Sequence, residues 1–256
     1  MVRFSAQAYS FPKDLTAPEE WEDSAAYSVR TGRFAVADGA AAAYRAGEWA
    51  EQLTRAYITS FPAPAGFPSA PEPVGPERLQ AVQEWFAEQV RLWREGAPAP
   101  TTWWARDAAA SRPSSATFAG LYLTPHDTAA FWEVSAIGDS CLFHISHGQL
   151  MRSFPMSPES RFNKHPDLLT TAQNRLEGSL AAVQIRTGQA LPGDIFVLAT
   201  DAASELLLGI HINDALCLGQ TGFFGSGEFF GLMKELRKNQ AIEVDDVAMV
   251  VVAVRP

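Results

Sequence analysis

Apolar residues along the chain occur in two kinds of run, and each kind predicts a different element. Short runs rich in β-branched and aromatic residues predict strands. We expect strands at residues 25–29, 33–37, 116–124, 129–137, 141–146, 149–154, 180–186, 194–200 and 247–254. The first two flank the turn Arg30-Thr31-Gly32, and His147-Gly148 is the turn of a hairpin. The second strand ends abruptly at Asp38-Gly39, which places Asp38 at a strand end.

Other segments repeat an apolar residue every three or four positions, which is typical of amphipathic helices. The pattern is clearest over residues 77–95. Further helices are predicted at residues 40–60, 202–208 and 227–239, with a short one near residues 168–174. The proline-rich segment 61–76 and the patch around Trp103 and Trp104 are predicted to be irregular. Strands flanked by helical pairs, without regular βαβ alternation, favour an α+β layered sandwich.

Composition and charge narrow the class of protein. With 47% hydrophobic and 19% charged residues, the 256-residue chain can bury a large core, and we expect one domain over residues 1–256. A formal net charge of −9 disfavours nucleic acid as a partner and suits a basic substrate or bound cations. Cys141 and Cys217 lie in apolar contexts, which indicates buried reduced thiols. Without a signal peptide or a membrane-span window, we expect a cytoplasmic monomer that does not bind membranes.

Acidic residues recur where the predicted strands begin or end. Asp38, Asp139 and Asp201 each follow an apolar strand, and Asp245 precedes the last one. Four carboxylates gathered at one edge of a core would repel one another unless cations lay between them. Oxygen ligands without an accompanying histidine or cysteine favour Mg²⁺ or Mn²⁺. Alternatively, each aspartate is a turn residue or a helix N-cap, as Asp201 would be for the helix at 202–208.

The order of these motifs resembles that of the type-2C, metal-dependent protein serine/threonine phosphatases, in particular bacterial ones. The resemblance spans residues 21–256. Its segments, in chain order, are Trp21-Glu22-Asp23, Ala37-Asp38-Gly39, Gly138-Asp139-Ser140, Gly193-Asp194, Thr200-Asp201 and Asp245-Asp246. It implies a four-layer αββα sandwich, in which a central antiparallel β-sandwich is flanked by helical pairs. It also implies hydrolysis of phosphoserine or phosphothreonine in a phosphorylated protein substrate, in signalling that involves a serine/threonine kinase.

The resemblance assigns the acidic residues to two or three Mn²⁺ or Mg²⁺ ions. Asp38 would bridge two ions, and the carbonyl of Gly39 would bind one of them. Asp201 and Asp245 would complete the shell of the other ion, so Asp38, Asp201 and Asp245 would be the catalytic ligands. Asp139, together with Asp201, would hold the third ion.

At the remaining positions of the family's motifs, this sequence agrees with the family at the early acidic pair and differs from it at several others. Glu22 or Asp23 would contribute to the ions directly or through water. The glycine that usually follows the third metal aspartate is Ala202, and Ala40 stands where some members have a histidine that could protonate the leaving alkoxide. The arginine that often stands shortly before the early acidic pair in the family, where it holds the substrate phosphate, is missing here, and Lys13 is the nearest basic residue upstream. These departures keep open an alternative, a catalytically weak or inactive regulatory or binding module of the same fold.

Overall fold

The structure is a computed structural model, which describes residues 1–17, 20–64, 74–97, 100–157, 165–209 and 225–256. Its strands are β1 (Arg3–Phe11), β2 (Asp23–Ser28), β3 (Arg33–Gly39), β4 (Ser115–His126), β5 (Ala129–Ile137), β6 (Cys141–Ser146), β7 (Gln149–Phe154), β8 (Leu169–Thr170), β9 (Gln184–Ala190), β10 (Ile195–Ala199) and β11 (Val247–Arg255). Its α-helices are α1 (Ala46–Ser60), α2 (Pro76–Gly96), α3 (Trp103–Ser111), α4 (Leu176–Ala181), α5 (Asp201–Gly209) and α6 (Ser226–Lys238). Within these ranges, no helix is both long enough and apolar enough to cross a membrane.

The strands form two antiparallel sheets. One sheet has the order β1-β11-β10-β6-β7, and the other has the order β2-β3-β4-β5-β9, with β8 added beside β4. Strands β1 and β2 are therefore edge strands of different sheets. Strands that are neighbours in a sheet are not always neighbours in sequence. The first strand, β1, pairs with the last, β11, and Phe11 lies opposite Val247. This long-range pairing brings the start of the chain next to the segment that enters the last strand.

Three apolar clusters hold the layers together. The cluster between the sheets includes Phe34, Leu121 and Val252, all almost fully buried. A second cluster joins the five-stranded sheet to α5 and α6, and a third joins the other sheet to α1 and α2. At about 25 cal/mol for each Å² of buried apolar surface, such clusters are the main source of folding free energy. The layers are therefore helix, sheet, sheet, helix, and the predicted four-layer αββα sandwich is confirmed.

Most predicted strands and helices occur within a few residues of their expected bounds, but α1 begins later than predicted. Residues 40–45 are not helical, although the prediction started the helix at residue 40. The backbone N–H of Ala40 donates to the Ser115 carbonyl at 3.0 Å, and that of Tyr44 donates to the Arg112 carbonyl at 2.7 Å. Because these groups are paired with a neighbouring segment, the helix begins only after Arg45, whose φ is 52°.

Three further predictions were wrong in detail, and one strand was not predicted. The patch around Trp103 is not irregular but the start of α3, which Thr102 caps by accepting a hydrogen bond from the Ala105 N–H at 3.4 Å. The strand expected at 180–186 is β9, shifted because the chain up to Ala181 belongs to α4. The helix expected near 168–174 is replaced by β8 and a short 3₁₀ turn. Strand β1 was missed altogether.

The prediction of a buried reduced thiol is confirmed for Cys141. Cys141 is a buried free thiol at the start of β6. Its Sγ donates to the Asp139 carbonyl at 3.1 Å, and burial raises its pKa to about 12. A thiol with so high a pKa is not a nucleophile at neutral pH. Cys217 lies outside the described residues.

Candidate metal centre

Two of the aspartates face each other across neighbouring strands of the six-stranded sheet. Asp23 is the first residue of β2, and Asp38 is the residue before the last of β3. The β2–β3 register pairs them directly. Directly opposed residues of an antiparallel pair have Cβ atoms roughly 5 Å apart, so like charges at such a pair are destabilising. The hairpin therefore places two carboxylates at the same end of this sheet.

Three more aspartates come from the five-stranded sheet. Ala199, at the end of β10, pairs with both Cys141 and Met249. Cys141 begins β6, Ala199 ends β10, and Met249 lies near the start of β11. Asp139 lies just before β6, Asp201 just after β10 and Asp245 just before β11, so the three segments meet at one end of the sheet. The N–H of Thr200 donates to the Ala248 carbonyl at 3.0 Å and continues the ladder to this end.

The two sets of aspartates lie within electrostatic reach of each other. The pKa of Asp38 is raised well above its ordinary value by burial, and next by the charges of Asp201 and Asp245, with Asp139 adding to the effect. The pKa of Asp23 is likewise raised, first by burial and then by Asp38. The residues thus brought together are Asp23, Asp38, Asp139, Asp201 and Asp245, here called the acid cluster. These electrostatic contributions indicate that Asp38, Asp139, Asp201 and Asp245 lie at one end of the sandwich, and their assignment as metal ligands stays a prediction.

Asp139 and Asp201 also have raised pKa values. Burial raises the pKa of Asp139 to about 6. Burial, followed by the charges of Asp139 and Asp245, raises the pKa of Asp201 to about 7. Asp201 is the first residue of α5, and its Oδ1 accepts a hydrogen bond from the Ala202 N–H at 2.6 Å. The alternative that Asp201 caps this helix is thus compatible with its place in the acid cluster, because a helix N-terminus favours a negative charge.

The donor set of the acid cluster fits a hard divalent cation. Within the described ranges, Asp23 Oδ2 and Asp139 Oδ1 are buried carboxylate oxygens without a hydrogen-bond partner. A buried, unpaired carboxylate is costly, and a dication removes the cost by accepting its lone pairs and neutralising the repulsion. Carboxylate oxygens are the ligands that Mg²⁺ and Mn²⁺ prefer. Among the described residues, no three His, Cys, Asp or Glu side chains are grouped so that they could hold a metal ion, so metal binding by the acid cluster stays a prediction.

Glu22 lies beside the acid cluster but is engaged differently. Its carboxylate forms an ion pair with the Lys13 ammonium group. Burial works against the charge on Lys13, but the pairing with Glu22 and the nearby charges of Asp246 and Asp245 raise its pKa. The nearest basic residue upstream of the acidic pair therefore lies at the edge of the acid cluster. Metal binding by Glu22 stays a prediction.

Asp246 is a residue of this site that sequence reasoning missed. It is 2% exposed, and its carboxylate accepts the backbone N–H of Lys13 at 2.6 Å and that of Glu22 at 2.9 Å. Two charge-assisted bonds to main-chain N–H groups fix the segments before β2 and after β1. The only sequence signal was its place beside Asp245, directly before an apolar strand.

Gly39, the predicted carbonyl ligand, stands where backbones approach closely. A Cβ at this position would lie 2.6 Å from the Ala46 carbonyl carbon and 2.7 Å from the Glu22 carbonyl oxygen. Its N–H donates to that same Glu22 oxygen at 3.1 Å. Only glycine fits between α1 and the segment that precedes Asp23. This close approach fixes the main chain next to Asp38.

Two cavities open beside the acid cluster. One, of about 410 Å³, is lined by Asp23 together with parts of β1 and the first turns of α1. The other, of about 600 Å³, lies between the start of α5 and residues 240–244, with Ala202 and Glu243 in its wall. Both cavities carry carboxylates, since Glu48 and Glu51 line the first and Glu205 lines the second. Arg237 also lines the second cavity, so the first cavity is the more acidic of the two.

Comparison with solved structures identifies the class of fold. The architecture is that of type-2C serine/threonine phosphatases, and several solved examples match it over their full length. The serine/threonine phosphatase PstP/Ppp of Mycobacterium tuberculosis has a TM-score of 0.63 and 16% sequence identity, with 100% of each chain covered. The catalytic domain of PstP in complex with two manganese ions has a TM-score of 0.60, 18% identity and 100% coverage of each chain.

A third structure, the photosystem II phosphatase PBCP, has a TM-score of 0.61 and 16% identity, with 98% of this chain and 99% of that chain covered. The sequence matches no protein-family model and no curated protein sequence. At identities this low, the comparisons establish the fold and leave the activity to the site. The resemblance found in the motifs is confirmed at the level of the fold.

Proposed function

We propose that this protein hydrolyses phosphoserine and phosphothreonine in proteins, with Mn²⁺ or Mg²⁺ held by the acid cluster. The observation that carries the proposal is the convergence of five carboxylates from both sheets on one end of the sandwich, where burial and neighbouring carboxylates raise the pKa values of Asp23, Asp38 and Asp201. Buried oxygens of Asp23 and Asp139 without hydrogen-bond partners in the described part of the chain add to it. A fold stabilised for its own sake would not gather these charges.

The roles that we propose for the individual residues are those that the family resemblance implies, and the position of Asp38 supports its role. Asp38 lies between the two sets of aspartates, because it faces Asp23 in its own sheet and is within electrostatic reach of Asp201 and Asp245 in the other. Asp38 would therefore hold the ions together with residues of both sets, in the role that the resemblance assigns to it. Asp201 and Asp245 would complete one shell, and Asp139 with Asp201 would serve a third ion. When bound, such ions supply charge neutralisation at the phosphoryl group and lower the pKa of a water that attacks phosphorus.

The chain itself provides binding and orientation. Asp246, the Gly39 backbone and the Glu22–Lys13 pair hold the ligand-bearing segments together. The bond from phosphorus to the serine or threonine oxygen breaks, the bond from the water oxygen to phosphorus forms, and the alcohol leaves with a proton. No side chain needs to form a covalent intermediate. The PstP structure that shares this fold is a complex with two manganese ions, which supports the choice of cofactor.

Partner and location follow from the same proposal. The substrate is a phosphorylated protein, and a serine/threonine kinase would be the enzyme that produces it. The carboxylates around both cavities and the net charge of −9 suit a phosphorylated segment with basic neighbours. A cytoplasmic monomer without nucleic acid remains our expectation.

The test is Mn²⁺-dependent hydrolysis of p-nitrophenyl phosphate and of a phosphothreonine peptide by the full chain. Asp38→Asn and Asp201→Asn should each lower kcat by at least about 100-fold, because each removes a charged ligand. Asp107→Asn, which changes an exposed aspartate of α3, is the matched control and should be indistinguishable from wild type. Equal rates in wild type and both cluster variants would refute the proposal.

The alternative is a regulatory or binding module of the same fold, favoured by Ala202 and by the lack of an arginine before the acidic pair. Calorimetric titration with Mn²⁺ separates the two candidates. An enzyme of this kind must take up at least two ions, whereas a binding module has no such requirement.

A further inference from the structure

One arginine outside the acid cluster contacts two of the segments that build it. Arg237 lies in the last turn of α6. Its Nη1 donates to the Pro12 carbonyl at 2.5 Å and to the Lys13 carbonyl at 3.3 Å, and its Nη2 donates to the Asp245 carbonyl. The guanidinium group lies over the ring of Phe11, at 4.2 Å from the ring centroid. A single side chain thus joins the end of β1 to the start of β11.

Both segments held by Arg237 lead directly to the acid cluster. Asp245 is a member of it, and its Oδ1 accepts the Asp246 N–H at 2.8 Å. Lys13 donates its N–H to Asp246 and pairs through its ammonium group with Glu22. Burial lowers the pKa of Arg237, while the charges of Asp246 and Asp245 act in the opposite direction. These two carboxylates therefore lie within electrostatic reach of the guanidinium group.

The contacts of Arg237 are the kind that a shorter or single-headed cation cannot reproduce. A guanidinium group is planar and presents several N–H donors in a fixed fork, whereas an ammonium group is a point charge. Here the fork spans carbonyls from two chain segments that are more than 200 positions apart in sequence. Its Nε is buried and has no hydrogen-bond partner in the described part of the chain. Retaining that unsatisfied donor costs free energy, so the carbonyl contacts must offset it.

We propose that Arg237 is a positioning residue of the metal centre, which fixes the backbone of Asp245 against the Lys13 segment and so sets the distance between the ligands. This inference rests on the proposed function in so far as the acid cluster binds Mn²⁺. Groups that orient metal ligands without touching the ion usually contribute 10- to 100-fold in metal affinity. The role differs from that of a general staple, which would stabilise the fold without changing the affinity of the folded protein for the ion.

The chain offers a closely matched control in Arg33. Its Nη2 donates to the Phe61 carbonyl at 2.7 Å, its guanidinium group lies 5.4 Å from the centroid of the Tyr122 ring, and its Nε is also buried without a partner in the described ranges. Arg33 thus has the same kinds of contact as Arg237, but at the opposite end of β3 from Asp38. Replacing it should cost stability and leave metal affinity unchanged.

The experiment is calorimetric titration of the folded full chain with Mn²⁺, together with urea unfolding in a chelator. Arg237→Met should weaken Mn²⁺ binding by about 10- to 100-fold. Arg237→Lys should fall between wild type and Arg237→Met, because one ammonium group can reach only one of the segments. Arg33→Met should bind Mn²⁺ with a dissociation constant within about twofold of that of wild type. Its free energy of unfolding should fall by about as much as that of Arg237→Met.

The outcomes separate this inference from the function on which it rests. If wild type binds Mn²⁺ and a folded Arg237→Met variant binds it equally well, the inference is overturned and the proposed function stands. If Arg237→Met does not fold, Arg237→Lys carries the test, and wild-type affinity in that variant overturns the inference. If wild type takes up no Mn²⁺, the proposed function fails, and the inference fails with it.

Discussion

The carboxylate of Asp246 accepts a hydrogen bond from the backbone N–H of Glu22, 224 positions earlier in the chain, at 2.9 Å. Glu22 leads into β2 of one sheet, and Asp246 leads into β11 of the other. The bond therefore crosses from one layer of the sandwich to the other at the end where the acid cluster lies. This link is one of the long-range contacts that hold the two halves of the candidate metal centre together.

Asp246→Ala should destabilise the fold more than a surface change would. Two backbone N–H groups, those of Lys13 and Glu22, would lose a charged acceptor. Hydrogen bonds to charged groups contribute roughly 1.5–3 kcal/mol each, so we expect a loss of at least about 2 kcal/mol in the free energy of unfolding. Urea denaturation in a chelator measures it. A change below about 0.5 kcal/mol, the range of ordinary surface substitutions, would contradict the role assigned to Asp246.

Asp201→Asn should have the opposite effect on the metal-free protein. Asp201 is largely buried, and the negative charges of Asp139 and Asp245 repel its carboxylate. Removing the charge of Asp201 therefore removes both the cost of burying it and this repulsion. We expect the metal-free variant to be more stable than wild type by roughly 1–2 kcal/mol at neutral pH. Addition of Mn²⁺ should then raise Tm in wild type and have little effect on the variant. Calorimetric melting with and without Mn²⁺ checks both expectations, and a variant less stable than wild type in chelator would count against the electrostatic account.

Gly39→Ala should damage the site through backbone displacement. The added methyl group would meet the Ala46 carbonyl carbon at 2.6 Å, far inside normal contact distance. Overpacking of this kind costs typically about 1–3 kcal/mol, and the displacement would lower Mn²⁺ affinity as well. Gly178→Ala, in α4, is the control, because a Cβ there meets nothing within 4 Å. That change should be neutral or stabilising by up to about 1 kcal/mol.

The contribution of Asp194 should depend on pH. Burial tends to raise the pKa of Asp194, but hydrogen bonds from His144, Ser146 and the Leu191 N–H outweigh it and hold the pKa below its ordinary value. The His144 Nε2 to Asp194 Oδ2 distance is 2.9 Å. A carboxyl group with a lowered pKa in the folded state stabilises the fold above its unfolded pKa of about 3.9, and the contribution is lost as the pH falls through the lowered value.

Asp194→Asn should therefore reduce the free energy of unfolding at pH 6, and the difference from wild type should shrink as the pH falls from about 5 to about 3. Urea unfolding at a series of pH values provides the measurement. A difference between the two proteins that stays constant over this range would show that the charge of Asp194 contributes nothing.

The strand and helix pattern predicted much of the fold because most elements bury one face against a neighbouring layer. Buried β11, with eight of its nine residues inside, appears in the sequence as an unbroken apolar run. Strand β1 was missed because it is an edge strand in which only Tyr9 and Phe11 are fully buried, so its alternation is weak. Helix α3 was missed for a related reason, since none of its residues is buried and no apolar stripe marks it.

The candidate site was predictable only in part. Aspartates at strand ends, taken in order, indicated Asp38, Asp139, Asp201 and Asp245, which the structure places at one end of the sandwich, while their roles as metal ligands stay predictions. The contributions of Lys13, Asp246 and Arg237 depend on pairing between the first and last strands and on the side to which α6 packs. Single-sequence patterns do not contain that information, because such contacts join residues more than 200 positions apart.

The central claim is that the acid cluster binds manganese ions. It is tested most directly by crystals grown with Mn²⁺, from which diffraction data are collected at the manganese absorption edge. The account predicts at least two anomalous peaks enclosed by the carboxylates of Asp38, Asp201 and Asp245, with Asp38 contacting two ions. Peaks that lie elsewhere, or an acid cluster without manganese at saturating concentration, would contradict it.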